Sequence, residues 1–448
     1  MRFRLDSGPN WSARTTFLES VAKFCSNGLD FTTVQMQIGD MRRAIGHLDA
    51  DSFYVSSERV RDPFLKDKPV GVLGNNGACV IARSYEMKAM GVRVGEPIWD
   101  AIKRCPDGIY VKRDFPWYEV LSRQMLDETC RRSPLVEYYS IDEFFFLVEP
   151  YPIERMERLA QSIRDDIFQK TRLPVTVGLA RSRTLAKLLT DTYKPFGAVA
   201  MLRPEEERAL LMRLPVTAIC GIAERRAKRL AMYNIRTCWD LAQMSRSLVR
   251  QLLTVTGEII WRELNGEPVT PIQAERPPHK MLSRGGSIGW PTNDRDIIFA
   301  WIVRNLERLI EELEFHRVRI GKLTLWLNYA DGDGPDTIGE HTFETVTDRF
   351  DLLLDAARTA WLRSWRTGAR VVRMQLIGTH LRRSGLVQQS LFEQPNPQQV
   401  ALSQVKQQIN QKLGRFKLRS GATLPLREIY RDESCNYDIC DVRGKICF

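Results

Sequence analysis

No stretch of the chain stays apolar for long enough to cross a bilayer. The greasiest run, Phe144-Phe145-Phe146-Leu147-Val148, falls far short of the ~18 residues that a span needs. The first residues carry no secretory pattern, because Arg2, Arg4, Asp6, Pro9 and Arg14 interrupt them. The expectation is a cytoplasmic protein with no membrane partner. Cysteine is sparse and irregular: nine residues, an odd count without tight pairing, fit reduced thiols better than a disulfide framework. Cys435, Cys440 and Cys447 are unevenly spaced and lack a Cys-x-x-Cys pair, so they read as packed or surface thiols. Low-complexity sequence does not dominate. With 43% hydrophobic and 27% charged residues over 448 positions, the chain reads as globular, with two to four domains.

Positive charge is in surplus. Lysine and arginine number 66 against 55 acids, a net charge of +11. Such an excess favours a polyanion, nucleic acid before an anionic membrane, although basic proteins that bind neither also carry it. No long basic run appears, so the charge is spread over folded elements.

Residues 1–40 have weak periodicity and read as a poorly ordered N-terminal extension. Residues 44–50 read as a buried strand ending in acids, followed by a helix over about 52–61 with Asp51 as its N-cap. Val70–Leu73 and Ala78–Ala82 read as a hairpin across Gly74-Asn75-Asn76-Gly77, since Asn-Gly between apolar runs favours a tight turn. Helices fit about 84–90, 97–104 and 115–131. A strand at 136–141, a bend at Asp142-Glu143, a strand at 144–148, a helix at 153–171 and a strand at 174–180 complete a β-α-β-β-α-β set, the split pattern of a ferredoxin-like layer. The pattern turns helical over 213–275, where Ile219-Cys220-Gly221-Ile222-Ala223 reads as a tight hairpin before a basic helix. Proline-rich residues lead into a second β-α-β-β-α-β block over 281–384, with strands at 284–290, 318–329, 338–346 and 370–380 and helices at 295–315 and 348–365. Beyond it lie a Gln- and Pro-rich linker and a short helical, turn-rich tail. The expected class is α+β and multidomain.

Two acidic clusters stand out: Asp49-Ala50-Asp51 at the end of one strand, and Asp142-Glu143 at the bend before another. Each alone is explained as a cap or a turn. Both together, in strands that should lie side by side, put carboxylates close in space. Two such charges at ~4 Å repel by about 4 kcal/mol at an effective dielectric near 20, so a proton or a cation must relieve them. Hard oxygen donors beside bound phosphates suit Mg²⁺, and a pair of such ions suits phosphoryl transfer. His47, mid-strand, reads as a core histidine.

Three segments, His47-Leu48-Asp49-Ala50-Asp51-Ser52-Phe53-Tyr54, Ala82-Arg83-Ser84-Tyr85-Glu86-Met87-Lys88-Ala89-Met90-Gly91-Val92 and Tyr139-Ser140-Ile141-Asp142-Glu143, resemble the palm and fingers motifs of Y-family DNA polymerases, the bacterial UmuC and DinB branches above all. The resemblance runs from about residue 44 to 392 and implies a right-hand polymerase. Its parts would be palm and fingers at 41–212 (fingers about 63–115), a helix-hairpin-helix thumb at 213–275, a little finger at 276–385, and a linker and tail at 386–448. It implies that Asp49, Asp142 and Glu143 are catalytic and, with the carbonyl of Ala50, hold two Mg²⁺ ions. Phe53 and Tyr54 are candidate nucleotide contacts, Tyr54 matching the aromatic gate against ribonucleotides, although by spacing alone Tyr54 reads as a core aromatic beside Phe53. Tyr85, Lys88 and Lys194 match contacts of the incoming nucleotide; Lys88 stands where most members have arginine and lacks that residue's bidentate fork.

By the same resemblance Arg83 and the hairpin at Gly221 would meet DNA, the latter by backbone N–H groups, although the second hairpin glycine is replaced by Ala223. Arg284, Arg317, Arg319, Lys322, Arg370 and Arg373 are the candidate phosphate partners of the little finger. Gln388-Gln389-Ser390-Leu391-Phe392 resembles the peptide that docks on the bacterial sliding clamp, through Gln388, Leu391 and Phe392, with Gln389 in place of the usual leucine. The implied activity is error-prone translesion synthesis without proofreading, in DNA damage tolerance and SOS mutagenesis. The implied partners are primer-template DNA, deoxynucleoside triphosphates, the sliding clamp, UmuD-like subunits and a RecA filament. Two other readings stay open: a catalytically silent paralogue serving as a DNA- and clamp-binding scaffold, and a palm-domain nucleotide cyclase, which predicts neither thumb nor little finger.

Overall fold

The computed structural model describes residues 41–74, 79–275, 277–384, 397–413 and 417–430. The extension at 1–40, the tip of the 74–77 turn, the clamp-like peptide at 388–392 and the three last cysteines lie outside them. The chain divides at Glu275 into two compact units.

In the first unit, Met41–Ala50 (β1) leads into the helix Phe53–Arg61 (α1). Val70–Leu73 (β2), Val80–Arg83 (β3), Tyr85–Ala89 (α2), Ile98–Arg104 (α3) and Ile109–Lys112 (β4) follow. Strands β2 and β3 run antiparallel, as the turn chemistry predicts, and β2 also pairs parallel with β4. Next come Phe115–Arg132 (α4), Val136–Tyr138 (β5), Glu143–Pro152 (β6), Met156–Thr171 (α5), Val175–Ala180 (β7), Arg183–Tyr193 (α6) and Ala198–Met201 (β8). They form a five-stranded sheet in the order β5-β6-β1-β7-β8.

Alternation along the central strand sorts its side chains. Ala44, Leu48 and Ala50 face a core shared with α4 and α5, while Ile45 faces one shared with α6. Gly46 is required by packing: a Cβ there would lie 2.1 Å from the ring of Phe146. The predicted N-cap is corrected. Asp51 does not cap α1; Ser52 stands at that position, left-handed at φ 47° and without a capping hydrogen bond. The carboxylate of Asp51 is taken by more distant partners, described below.

Pro204–Arg213 (α7), Glu224–Ala231 (α8), Cys238–Ala242 (α9) and Arg246–Leu264 (α10) complete the unit. Only a single 3₁₀ turn, Val216–Ala218, stands where the first helix of the hairpin was expected. The helices are not a detached body, because Ile219, Ile222, Leu230 and Leu241 share one core with Leu185 and Leu189 of α6.

The second unit is built from Met281–Thr292 (β9), Arg295–Phe315 (α11), Val318–Tyr329 (β10), Thr337–Thr347 (β11), Phe350–Ser364 (α12), Val371–Thr379 (β12) and Arg382–Arg383 (β13). The antiparallel sheet runs β11-β10-β12-β9, and β13 pairs with β10. Leu323, Leu325 and Leu327 point into the core with α11 and α12. The expected tail is in part a structural layer: Pro397–Leu413 (α13) and the 3₁₀ segment Gly421–Tyr430 follow. Lys406 Nζ lies 2.5 Å from the buried Glu307 carboxylate, the Ser420 N–H donates to the same oxygen at 2.8 Å, and Leu426 is buried in the core. Leu426→Ala should therefore cost about 2–5 kcal/mol, read as lost hydrogen-exchange protection along α11 in the full chain.

Candidate active site

The acids meet because of register. Asp49, one residue before the end of β1, lies directly opposite Glu143, which begins β6, and the Ala50 N–H donates to the Asp142 carbonyl at 2.9 Å. Asp49, Glu143 and His47 each present an atom within 4.8 Å of the others. Burial and a hydrogen bond with Glu143 push the Asp49 carboxyl up to about 9. Burial alone would raise Glu143 as well, but that hydrogen bond and the Lys187 ammonium outweigh it and hold Glu143 low. The opposed shifts are those of two close carboxylates that cannot both ionise freely, a repulsion that a proton or a cation relieves. Asp142 adds its charge to Asp49; burial and then, against the Ser140 hydroxyl that donates to it, the charge of Glu143 push its own carboxyl up.

Two ammonium groups face this cluster. Lys194 Nζ is 2.7 Å from Asp49 Oδ1, and Lys187 of α6 pairs with Glu143. His47 is buried behind them, its Nδ1 2.6 Å from Thr190 Oγ1, and burial then the Lys187 charge push its pKa well below the usual value. Hard carboxylate oxygens from adjoining strand ends, three acids against two ammonium groups, are a donor set that fits a divalent ion such as Mg²⁺.

Tyr85 and Lys88 share the face of α2, which Ser84 caps by accepting from the Met87 N–H at 3.2 Å. The Tyr85 phenol is pushed up to about 12 by burial, then by the charges of Asp51 and Asp49, which brings it to the same cluster. Tyr54 is half-buried and stacks on Tyr118 at 4.7 Å and 23°. Phe53 is corrected as a side-chain contact, since its ring is buried in the core. Arg83 is turned toward the Val92 carbonyl, and Gly221 is exposed, with φ 93°.

Among the six basic residues of the second unit, Arg284 is corrected. It pairs with buried Glu312 on α11, on the helix side of the sheet. Arg319 pairs with Asp348, Lys322 with Glu340 and Arg370 with Asp333. Arg317 and Arg373 are exposed. The sequence reading missed Lys187 and the partners of Asp51. The apolar spacing Leu185-Leu188-Leu189 could have revealed α6, and with it the turn that carries Lys187.

A mixed sheet with acids at the ends of an adjoining antiparallel strand pair, lysines facing them and a second α+β unit define a nucleotidyl-transfer enzyme of the polymerase kind. Residues 48–191 match the impB/mucB/samB family, and residues 279–394 match that family's C-terminal domain. Protein ImpB of Salmonella typhimurium is 30% identical over 78% of this chain and 85% of its own. DNA polymerase IV 1 of Bacillus subtilis (strain 168) is 28% identical, covering 86% and 94% respectively. Protein UmuC of Salmonella typhimurium is 28% identical over 83% and 91%. A solved Y-family polymerase chimera, Dbh-Dpo4(243-245)-Dbh, shares the fold with a TM-score of 0.62 and 23% identity over 75% of this chain and 99% of its own. The chain belongs to the Y family of DNA polymerases, in its UmuC/DinB-like branch. It is a DNA-directed, translesion DNA polymerase. Among the described residues, no helix is long and apolar enough to cross a membrane.

Proposed function

We propose that Asp49, Asp142 and Glu143 form the catalytic centre at which a primer 3′-OH attacks the α-phosphorus of a deoxynucleoside triphosphate. With the Ala50 carbonyl they would hold two Mg²⁺ ions, which when bound stabilise the charge on the attacking and leaving oxygens. The observation that carries this reading is the cross-strand register that sets Asp49 opposite Glu143, with a lysine ammonium on each. Lys194, Tyr85 and Lys88 receive the triphosphate, with Lys194 leaving Asp49 as it does so. Tyr54 closes the site to a 2′-hydroxyl.

In this reading the five-stranded sheet is the palm, residues 63–115 are the fingers, 213–275 the thumb and 276–385 the little finger. The Gly221 hairpin, Arg83, and the exposed Arg317 and Arg373 face DNA, where phosphate contacts position without reading sequence. The peptide at Gln388, Leu391 and Phe392 docks on a bacterial sliding clamp. The cytoplasmic enzyme acts in SOS mutagenesis, beside UmuD-like subunits and a RecA filament, and does not proofread. Primer extension by the full chain in Mg²⁺, on intact and abasic templates, tests this. Nucleotides should be added on both, and a mismatched primer end should not be degraded. Protein that binds primer-template but adds nothing in Mg²⁺ or Mn²⁺ would be a scaffold instead.

A further inference from the structure

Lys194 lies in the loop that joins α6 to β8, and the backbone of that loop is gripped from several sides. The Lys194 N–H donates to the Thr190 carbonyl, closing α6. Phe196 then takes a left-handed conformation, φ 54°, which a bulky residue keeps only where its surroundings hold it there. Two groups do so. The Phe196 N–H donates to Asp51 Oδ2 at 2.7 Å, and Arg164 Nη1 donates to the Phe196 carbonyl at 3.1 Å. The Arg164 guanidinium also lies 4.5 Å from the centroid of the Phe196 ring. Gly197 follows, with no room for a side chain: a Cβ would lie 2.3 Å from the Tyr193 carbonyl oxygen.

Asp51 is well placed for this grip, and among the described residues every hydrogen bond to its carboxylate comes from Phe196 or from Thr176 beside it. It is 1% exposed. Its carboxylate accepts from the Thr176 hydroxyl at 3.0 Å, and Thr176 Oγ1 accepts in turn from the Gly197 N–H at 3.3 Å. The carboxylate therefore holds the loop twice, directly at Phe196 and through Thr176 at Gly197. Its own backbone is pinned, since the Asp51 N–H donates to the Pro174 carbonyl and the Asp51 carbonyl accepts from the Ser56 hydroxyl. Strand β1 thus delivers two acids with different work: Asp49 faces the Lys194 ammonium, and Asp51 faces the backbone that carries it.

We propose that Asp51, with Arg164, is a positioning residue that clamps the Phe196 peptide and so sets the Lys194 ammonium where it meets the incoming triphosphate. This rests on the reading of Lys194 as a triphosphate contact. A backbone held from both sides limits how far the lysine stem can wander, and a positively charged group that is already oriented loses less freedom on binding.

Steady-state primer extension by the full-length enzyme tests it, with KM for the deoxynucleotide read apart from kcat. Lys194→Ala comes first and must raise KM; if it does not, the underlying reading of Lys194 fails. Given that rise, Asp51→Ala should raise KM about tenfold with a smaller change in kcat and an unaltered Mg²⁺ half-saturation. Asp51→Asn, which keeps an acceptor for the Phe196 N–H, should stay within about threefold of the parent. Asp51→Ala added to Lys194→Ala should raise KM no further, because both act through one ammonium. An Asp51→Ala enzyme that melts at lower temperature but keeps its KM overturns the proposal. So do additive effects in the double variant, or an Asn variant as impaired as the Ala one. If Asp51→Ala does not fold, Arg164→Met and Thr176→Val take its place, and an unchanged KM in both overturns the clamp.

Discussion

Glu143→Gln should abolish primer extension, by a factor on the order of 10³ or more, while DNA binding and the folded state persist. The expectation follows from position: Glu143 stands opposite Asp49 in the sheet and ties Lys187 into the cluster. The amide keeps the shape but loses the anion that a divalent ion needs, and it leaves the ammonium without its counter-charge. Asp142→Ala and Asp49→Asn should be equally inactive. Activity surviving any of the three, measured as single-nucleotide addition under saturating Mg²⁺, would remove the assignment.

Asp49→Asn has a second, opposite consequence for stability. Burial and the hydrogen bond with Glu143 push the Asp49 carboxyl up to about 9 without metal, against 3.8 for an ordinary aspartate. The folded state therefore holds a proton that the unfolded chain releases, and the wild type loses stability as pH rises from about 4 toward 9. Glu143 is shifted the other way; its contribution is complete above its ordinary 4.5 and is lost only as pH falls below that. Asp51 and Asp142 are shifted up and His47 down in both proteins, so between pH 5 and 9 the difference between the variant and the wild type isolates Asp49. The Asn variant, measured in chelator by urea unfolding, should gain on the wild type steadily over that window. Such a cost carried at a working site is the usual exchange of stability for function.

Much of this was legible because period-two patterns survive wherever one face of a strand is buried. The strands at 284–290, 318–329 and 370–380 and the helix at 295–315 are found within a few residues of the expected bounds. The acids could be seen to converge because adjacent strand ends must meet. What failed was local reasoning about residues whose partners are far away in the chain. Asp51 obeys the rule for an N-cap, yet the backbone of Phe196, 145 positions later, takes its carboxylate. Arg284 reads by resemblance as a phosphate partner, although it shares its parity with Leu282 and Ile288, both buried, and so points at α11. The sequence reading assigns no element between the strand at 174–180 and residue 213, so α6, β8 and α7 all escape it, and Lys187 with them. The segment beyond residue 397 is polar and periodic only weakly; its tie to Glu307 and the burial of Leu426 depend on a groove that no linear pattern reveals.

Tyr54→Ala should admit ribonucleotides, raising their kcat/KM by about a hundredfold, some 2.7 kcal/mol, while deoxynucleotide use changes little. A gate works by repulsion, so removing it helps the wrong substrate rather than harming the right one; an attractive contact would show the reverse. A repulsive wall must also be stiff, and the packing supplies that. The Tyr54 ring is stacked on Tyr118, which is fully buried and donates its hydroxyl to Glu58 at 2.6 Å. Glu58 is itself buried and paired with Arg61. Phe115 closes a further side edge-on at 5.7 Å. The ring has little room to swing away from a 2′-hydroxyl, and retreat would break contacts along α1 and α4. Tyr54→Phe, which keeps the ring, should preserve discrimination. Unchanged sugar selectivity in the alanine enzyme, with addition of deoxynucleotides intact, would reduce Tyr54 to the core aromatic that its spacing alone suggests.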